Sequence, residues 1–153
     1  MKKIVTQIRD IHHIEKELQT NPAGVLALNV KDDEIVQIAT TFLYQDKNVY
    51  FFLDDKDDLL ENLKYETPVS FIIVKNEKTK KNSKQDFTPV YNILSISVAG
   101  QLKKVDDEKL FDSLRKNYLK KYSSKVDEKE KPRLNNVIFI DTEEIQAFEE
   151  TGG

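Results

Sequence analysis

The chain contains 153 residues, of which 39% are hydrophobic and 33% are charged, and its formal net charge at pH 7 is −3. This size suits one domain with a buried core, residues 1–153, and the weak negative charge provides no basic field for binding nucleic acid. The sequence has no cysteine, which excludes disulfides, thiolate metal sites and thiol nucleophiles.

The first segment is predicted to be an amphipathic helix. Its apolar residues recur every three or four positions from Ile4 to Leu18, as on one face of a helix, and Asn21 and Pro22 end the pattern. Charged residues interrupt the segment, so it fits neither a signal peptide nor a membrane span. We therefore expect a cytoplasmic protein without a membrane partner.

Strands and a short helix are predicted next. Residues 23–30 form a nearly unbroken apolar run that is too short for an independent helix, which predicts a strand buried on both faces. Residues 34–53 contain two runs of β-forming residues around a polar turn, so we expect a hairpin of two long strands. Residues 57–65 begin with aspartates and carry leucines at helical spacing, which predicts a helix, and residues 69–74 predict another strand.

The second half of the chain alternates polar segments with β-forming ones. The lysine-rich stretch of residues 75–89 has almost nothing to bury and predicts a mobile loop. Residues 90–105 predict a long strand in which Gly100 marks a bend or bulge. Acidic residues 106–108 are expected to cap a second amphipathic helix, and residues 137–148 supply the last strand material.

The order of these elements is six strands, with one helix after the third strand and another before the last. It is accompanied by four short stretches around the hairpin and the next strand, namely Ile38-Ala39-Thr40-Thr41-Phe42, Val49-Tyr50-Phe51-Phe52, Glu61-Asn62-Leu63 and Thr67-Pro68-Val69-Ser70-Phe71. This order of elements and these four stretches together resemble the FMN-binding split barrels of the pyridoxamine 5'-phosphate oxidase-like superfamily. The resemblance implies an α+β fold, a six-stranded antiparallel split β-barrel with flanking helices, and a homodimer that holds FMN in a cleft.

The resemblance also implies that the FMN phosphate lies near the hairpin and the helix after it. Oxidase members carry an Arg and a Lys on the second strand and a Ser-Arg-Lys group at the helix start. This chain has Gln37 and Phe42 on the strand, and Asp57, Asp58 and Leu59 at the helix. A phosphate dianion needs positive charge or convergent donors, and nearby carboxylates repel it. Pyridoxamine-phosphate oxidase activity itself is therefore not expected.

Other groups near the hairpin could still hold the phosphate, because hydroxyls and backbone amides are also donors. The candidate FMN-binding residues are Ala39, Thr40, Thr41, Lys56 and Asn62. Strand propensity alone also explains the two threonines, because they are β-branched. Lys103, Lys120 and Lys121 are further candidate cations, but a surface lysine is more often a solvated counter-charge.

Two functions follow from these observations. With FMN bound, the protein would be a flavin-dependent oxidoreductase of unknown substrate, for which no catalytic acid or base can be named. The alternative is a flavin-free split-barrel binding module for haem or another anionic planar ligand, with His12 or His13 as an axial ligand. These adjacent histidines lie about 100° apart around a helix and cannot share one ion, so no metal site is predicted.

Overall fold

A computed structural model of the protein describes residues 2–54, 59–77, 91–122 and 136–153. Its elements in chain order are β1 (Lys3–Ile8), α1 (Ile11–Thr20), β2 (Gly24–Val30), a short 3₁₀ turn (Lys31–Asp33), β3 (Glu34–Thr40), β4 (Leu43–Gln45), β5 (Asn48–Phe52), α2 (Leu59–Asn62), β6 (Pro68–Glu77), β7 (Tyr91–Lys104), α3 (Glu108–Lys121) and β8 (Val137–Gly152).

The strands form one antiparallel sheet in the order β3-β2-β6-β7-β8-β5-β4, with β1 paired to β8 beside this path. The long strand β8 organises the sheet. β7 runs along one of its edges, while β5 pairs with residues 137–140 and β1 with residues 147–152 on the other. The sheet curls around a core without closing, so the fold is the α+β split barrel that the sequence predicts.

Two apolar clusters hold the elements together. The main core lies on the inner side of the sheet, where α1 contributes Ile14 and Leu18. Helix α3 covers a smaller cluster, whose buried members are Leu43, Tyr50, Val105, Leu114 and Val137. Because Leu114 is fully buried, it anchors α3 against the β4–β5 end of the sheet.

The segment predicted as one helix, from Ile4 to Leu18, is a strand followed by a helix. Lys3–Ile8 pairs with β8 in regular antiparallel register, since β-branched residues meet a strand edge that can accept them. Helix α1 begins after Asp10, whose side chain accepts a hydrogen bond from the backbone N–H of His12. The helical prediction is correct for the second half of the segment and wrong for the first, because strand pairing overrides the local spacing.

Strand β2 is buried on one face only. Leu26, Leu28 and Val30 point into the core, whereas Val25 is 38% exposed on the outer face. The prediction of two buried faces is therefore wrong. The physical reason is that no helix among the described residues covers the outer side of the sheet at this strand.

The predicted hairpin of residues 34–53 is divided in two. β3 pairs with β2 and ends at Thr40, while β4 pairs with β5 across a two-residue turn with positive φ angles. The strand breaks because the Phe42 ring turns into the core, with its centroid 4.7 Å from that of Phe71. This break and the strand β1 account for eight strands in the described part of the chain, where six were predicted.

The later elements follow their predictions. The irregularity in β7 lies between Ala99 and Gly100. A Cβ at Gly100 would collide with the carbonyl of Asp141, so this close approach requires glycine. Asp107 caps α3 by accepting hydrogen bonds from two backbone amides of its first turn.

Some predicted segments extend past the described residues. The predicted helix 57–65 is helical at α2 but wrong for residues 63–65, because Leu63 forms a bridge with Val30 and the chain turns at Tyr65; residues 55–58 lie outside the described ranges. Strand β6 continues through Lys75, Asn76 and Glu77, so the prediction of a loop from residue 75 is wrong for these three residues. The rest of the predicted loop, residues 78–89, lies outside the described ranges. β8 runs past the predicted end at residue 148, because residues 149–152 pair with β1 and β7.

Candidate functional site

The candidate site is the break between β3 and β4, at Thr41 and Phe42. Side chains at the end of α3 bind both residues. Thr41 Oγ1 lies 2.8 Å from the Tyr118 hydroxyl, and the Phe42 N–H donates to the Tyr122 hydroxyl over 3.0 Å. Lys121 Nζ donates to the Phe42 carbonyl over 2.9 Å. The end of α3 thus supplies the hydrogen bonds that a neighbouring strand supplies elsewhere in the sheet.

The sequence of α3 explains why its last turn reaches this break. Leu114, Tyr118 and Tyr122 follow at four-residue intervals and therefore share one helix face. Leu114 is buried, and the Tyr118 ring packs 4.3 Å from the Phe52 ring and 4.8 Å from the Tyr122 ring, measured between centroids. This apolar contact fixes the helix, and the hydroxyls at the ring tips then meet the break.

The Tyr122 hydroxyl links three segments of the chain. It accepts the Phe42 N–H, and it lies 2.8 Å from the carbonyl oxygen of Pro22 and 2.9 Å from that of Phe42, either of which can take its hydrogen. Burial raises the pKa of Tyr122, so the hydroxyl keeps its proton at neutral pH. Tyr122 therefore has a structural role at the junction between α3 and the break.

The cation of the site is Lys121. Its Nζ lies 3.7 Å above the centroid of the Phe42 ring and 5.3 Å from that of Tyr122. Burial lowers the pKa of Lys121 to about 8, because the ammonium group loses water and gains only neutral partners in the described part of the chain. At pH 7 the group is still mostly protonated.

Three of the five predicted FMN-binding residues are contiguous at this break. Ala39 is exposed on the outer face of β3, and Thr40 is half-buried at its end. The Thr40 hydroxyl donates to the Thr41 carbonyl over 3.2 Å, whereas the Thr41 hydroxyl meets Tyr118. The hydroxyl groups of the two threonines therefore have different hydrogen-bond partners. Lys56 lies outside the described residues.

The fifth predicted residue, Asn62, stands apart from the break. It ends α2, and the next residue, Leu63, forms a bridge with Val30 at the end of β2. Thr40 pairs with Gly24 at the other end of that strand. The six residue steps from Gly24 to Val30 span about 20 Å, so the structure does not bring Asn62 to Thr40.

A second feature is an open groove of about 390 Å³ across the outer face of the sheet. Ala27, Ser70 and Ala99 stand side by side in register along its floor, and their small side chains create the space. Ile35 lines the groove and is 72% exposed, and Ala39 lies on the same face of β3. An uncovered apolar face of this kind suits a planar apolar ligand or a second protein chain.

The sequence prediction missed Tyr118 and Tyr122 as site residues. Their contacts with Thr41 and Phe42 join residues 77 and 80 positions apart. A signal existed, since tyrosines on the apolar face of a helix require polar partners for their hydroxyls. The sequence did not say which segment provides those partners.

The described part of the chain contains no group of three or more metal-binding side chains, and His12 is exposed on α1. None of the helices in the described ranges is long and apolar enough to cross a bilayer.

Comparison with known families gives a match over most of the chain. The family model described as pyridoxamine 5'-phosphate oxidase matches residues 10–149. A comparison with curated protein sequences gives no match.

Several solved structures share the fold. A candidate 5-nitroimidazole antibiotic resistance protein from Bacteroides thetaiotaomicron has a TM-score of 0.70 at 12% identity, covering 100% of this chain and 93% of that one. An FAD-binding protein from Mesorhizobium loti has a TM-score of 0.65 at 18% identity, covering 95% and 98%. A haem-binding protein from Mycobacterium smegmatis has a TM-score of 0.60 at 13% identity, covering 84% and 49%. At these identities the likeness shows the fold alone.

Proposed function

Because the chain belongs to the pyridoxamine 5'-phosphate oxidase family and has its split-barrel fold, we propose that it is an FMN-binding oxidoreductase. When bound, the flavin supplies the redox chemistry, passing hydride or electrons from a nicotinamide donor to an acceptor. The protein's part is to bind the cofactor, orient it and shield it. The FAD-binding protein of the same fold supports a flavin as the ligand.

The observation that carries the proposal is the hydroxyl pair of Thr41 and Tyr118 at the break between β3 and β4. Two hydroxyls that share one hydrogen bond leave one hydrogen free to donate to a ligand. The pair lies two residues after Ala39, whose side chain is on the apolar outer face of the sheet. This region offers a hydroxyl donor for the phosphate group of FMN and an apolar surface for its ring system. The residues present therefore fit FMN.

We propose a homodimer as the assembled form. The outer face of the sheet exposes Val25, Ile35, Ile72 and Val74 in the single chain. Covering such a face with a second copy would bury it through a self-complementary contact. Sedimentation at micromolar concentration is expected to give twice the chain mass of 17.8 kDa, and a monomer would contradict this assembly.

A flavin titration with matched threonine variants tests the cofactor assignment. Wild-type protein is expected to quench FMN fluorescence. Thr41→Val removes one hydroxyl of the pair and should weaken FMN binding by about tenfold, the value of one good hydrogen bond to a charged acceptor. Thr40→Val is the control, because its hydroxyl is bonded to the neighbouring backbone carbonyl. A colourless protein that leaves added FMN unquenched would overturn the assignment.

The second candidate is a flavin-free module that binds haem or another anionic planar ligand. The open apolar groove and the fold shared with a haem-binding protein favour it. The same purified protein decides between the two, since added haemin would then give a shifted Soret band. His12→Ala and His13→Ala separately test the predicted axial ligand.

A further inference from the structure

Lys121 is a half-buried ammonium group whose partners in the described part of the chain are uncharged. They are the Phe42 carbonyl and the ring faces of Phe42 and Tyr122. The ion pairs found in that part of the chain belong to other lysines, namely Lys3, Lys64, Lys75 and Lys103.

These neutral partners orient Lys121 without neutralising its charge. A carbonyl accepts one of the three ammonium hydrogens, and ring faces attract a cation weakly compared with a carboxylate or phosphate. The lowered pKa, about 8, reports the same imbalance. An oxyanion placed here would compensate the charge and accept the remaining hydrogens.

Hydroxyl donors stand at the same junction. Thr41 directly precedes Phe42, and Tyr118 lies one helical turn before Lys121. Their shared hydrogen bond leaves one hydroxyl hydrogen available, whereas the Phe42 N–H is already taken by Tyr122. The junction therefore combines one cation with one free hydroxyl donor, which is the chemistry that recognises a phosphate monoester.

We propose that Lys121 is the cation that binds the phosphate group of the protein's ligand, with the Thr41–Tyr118 pair as the accompanying donor. The inference rests on the proposed flavin function for the identity of that ligand, FMN. It assigns the phosphate-binding charge to the end of α3, a part of the chain separated by 79 residues from the strand break that it contacts.

The test compares FMN with riboflavin, which has the same ring system without the phosphate. Lys121→Gln removes the charge and is expected to weaken FMN binding at least about tenfold while leaving riboflavin binding unchanged. Lys121→Arg keeps the charge and should retain most of the FMN affinity. Lys120→Gln is the matched control, because it deletes the same charge from an exposed neighbouring position.

The outcomes separate this inference from the proposed function. If wild-type protein prefers FMN to riboflavin and only Lys121→Gln abolishes the preference, the assignment holds. It is overturned if Lys121→Gln and Lys120→Gln act alike, or if the wild type binds both flavins equally. Equal melting temperatures of the ligand-free variants show that folding is unchanged.

Amine labelling decides the case in which no flavin binds and the proposed function fails. Reductive methylation of the full chain, followed by mass spectrometry, measures the reactivity of Lys121 and Lys120 in the same sample. Inorganic phosphate at constant ionic strength is expected to slow labelling of Lys121 relative to Lys120. Equal labelling with phosphate and with chloride would overturn the phosphate site.

Discussion

The two longer helices meet the sheet at junctions that treat charge differently. At α1, the carboxylate of Glu17 is only 7% exposed and accepts from Lys75 Nζ, 3.2 Å from each oxygen, and from Asn21 Nδ2 over 2.9 Å. At α3, the half-buried Lys121 meets a carbonyl and ring faces. The first junction is balanced within the described chain and is structural. The second retains binding capacity for an anion.

The largest effect on stability is expected from Lys75→Met. It leaves the buried carboxylate of Glu17 with Asn21 as its remaining partner and should reduce the free energy of unfolding by about 2 kcal/mol, less than for a fully buried pair because Lys75 is half-exposed. Urea unfolding measures the change. The double variant with Glu17→Gln should recover part of it, and the absence of recovery would show that Lys75 acts through packing.

The pH dependence of FMN binding tests the other junction. Lys121 contacts the Phe42 carbonyl and the rings of Phe42 and Tyr122, and the hydroxyls of Thr41 and Tyr118 meet each other at the same strand break. Phosphate becomes a dianion above about pH 6. Binding to the protonated amine should therefore be tightest between that value and the Lys121 pKa of about 8.

Above the pKa of Lys121, FMN affinity should fall by up to about tenfold per pH unit, because the ammonium form binds the phosphate more tightly than the neutral amine does. Fluorescence titrations from pH 6 to pH 10 check this, with those limits chosen to span about two units on either side of the pKa. Lys121→Arg is the control, since arginine stays charged and should remove the alkaline fall. An unchanged fall in that variant would assign the titration to another group.

A smaller effect is expected from Tyr122→Phe. The variant keeps the ring against Tyr118 and deletes the hydroxyl that accepts the Phe42 N–H, so the free energy of unfolding should drop by about 1 kcal/mol. Urea unfolding at pH 7 measures it. Amide exchange at Phe42 should accelerate in the variant, and protection equal to that of the wild type would show that another acceptor replaces Tyr122.

The smallest effect is expected from Lys121→Met in the ligand-free protein. No buried carboxylate among the described residues loses a partner, and the apolar side chain suits the Phe42 ring, so the free energy of unfolding should change by less than about 0.5 kcal/mol. The free energy of unfolding should therefore change much less in Lys121→Met than in Lys75→Met. A loss as large as that of Lys75→Met would give Lys121 a structural role and erase the distinction between the junctions.

Local signals in the sequence determined much of the architecture. The order of the β-forming runs and the four short stretches indicated the α+β split barrel through their resemblance to a known family, acidic residues 106–108 marked the start of α3, and Gly100 marked the irregularity of β7. The individual elements, the cap and the irregularity depend on residues close together in the chain. Capping, strand propensity and the lack of a Cβ act over a few positions, so their pattern can be recognised without the fold.

The tertiary structure decided what long-range contacts control. Residues 3–8 have helical spacing with the next segment, yet they pair with β8, because a strand edge nearly the whole chain away offers their backbone hydrogen bonds. Thr41 was a candidate from the sequence, but its partner Tyr118 and the nearby Lys121 come from a helix almost 80 residues later. Periodicity records which face of an element is apolar and carries no information about which distant element that face will meet.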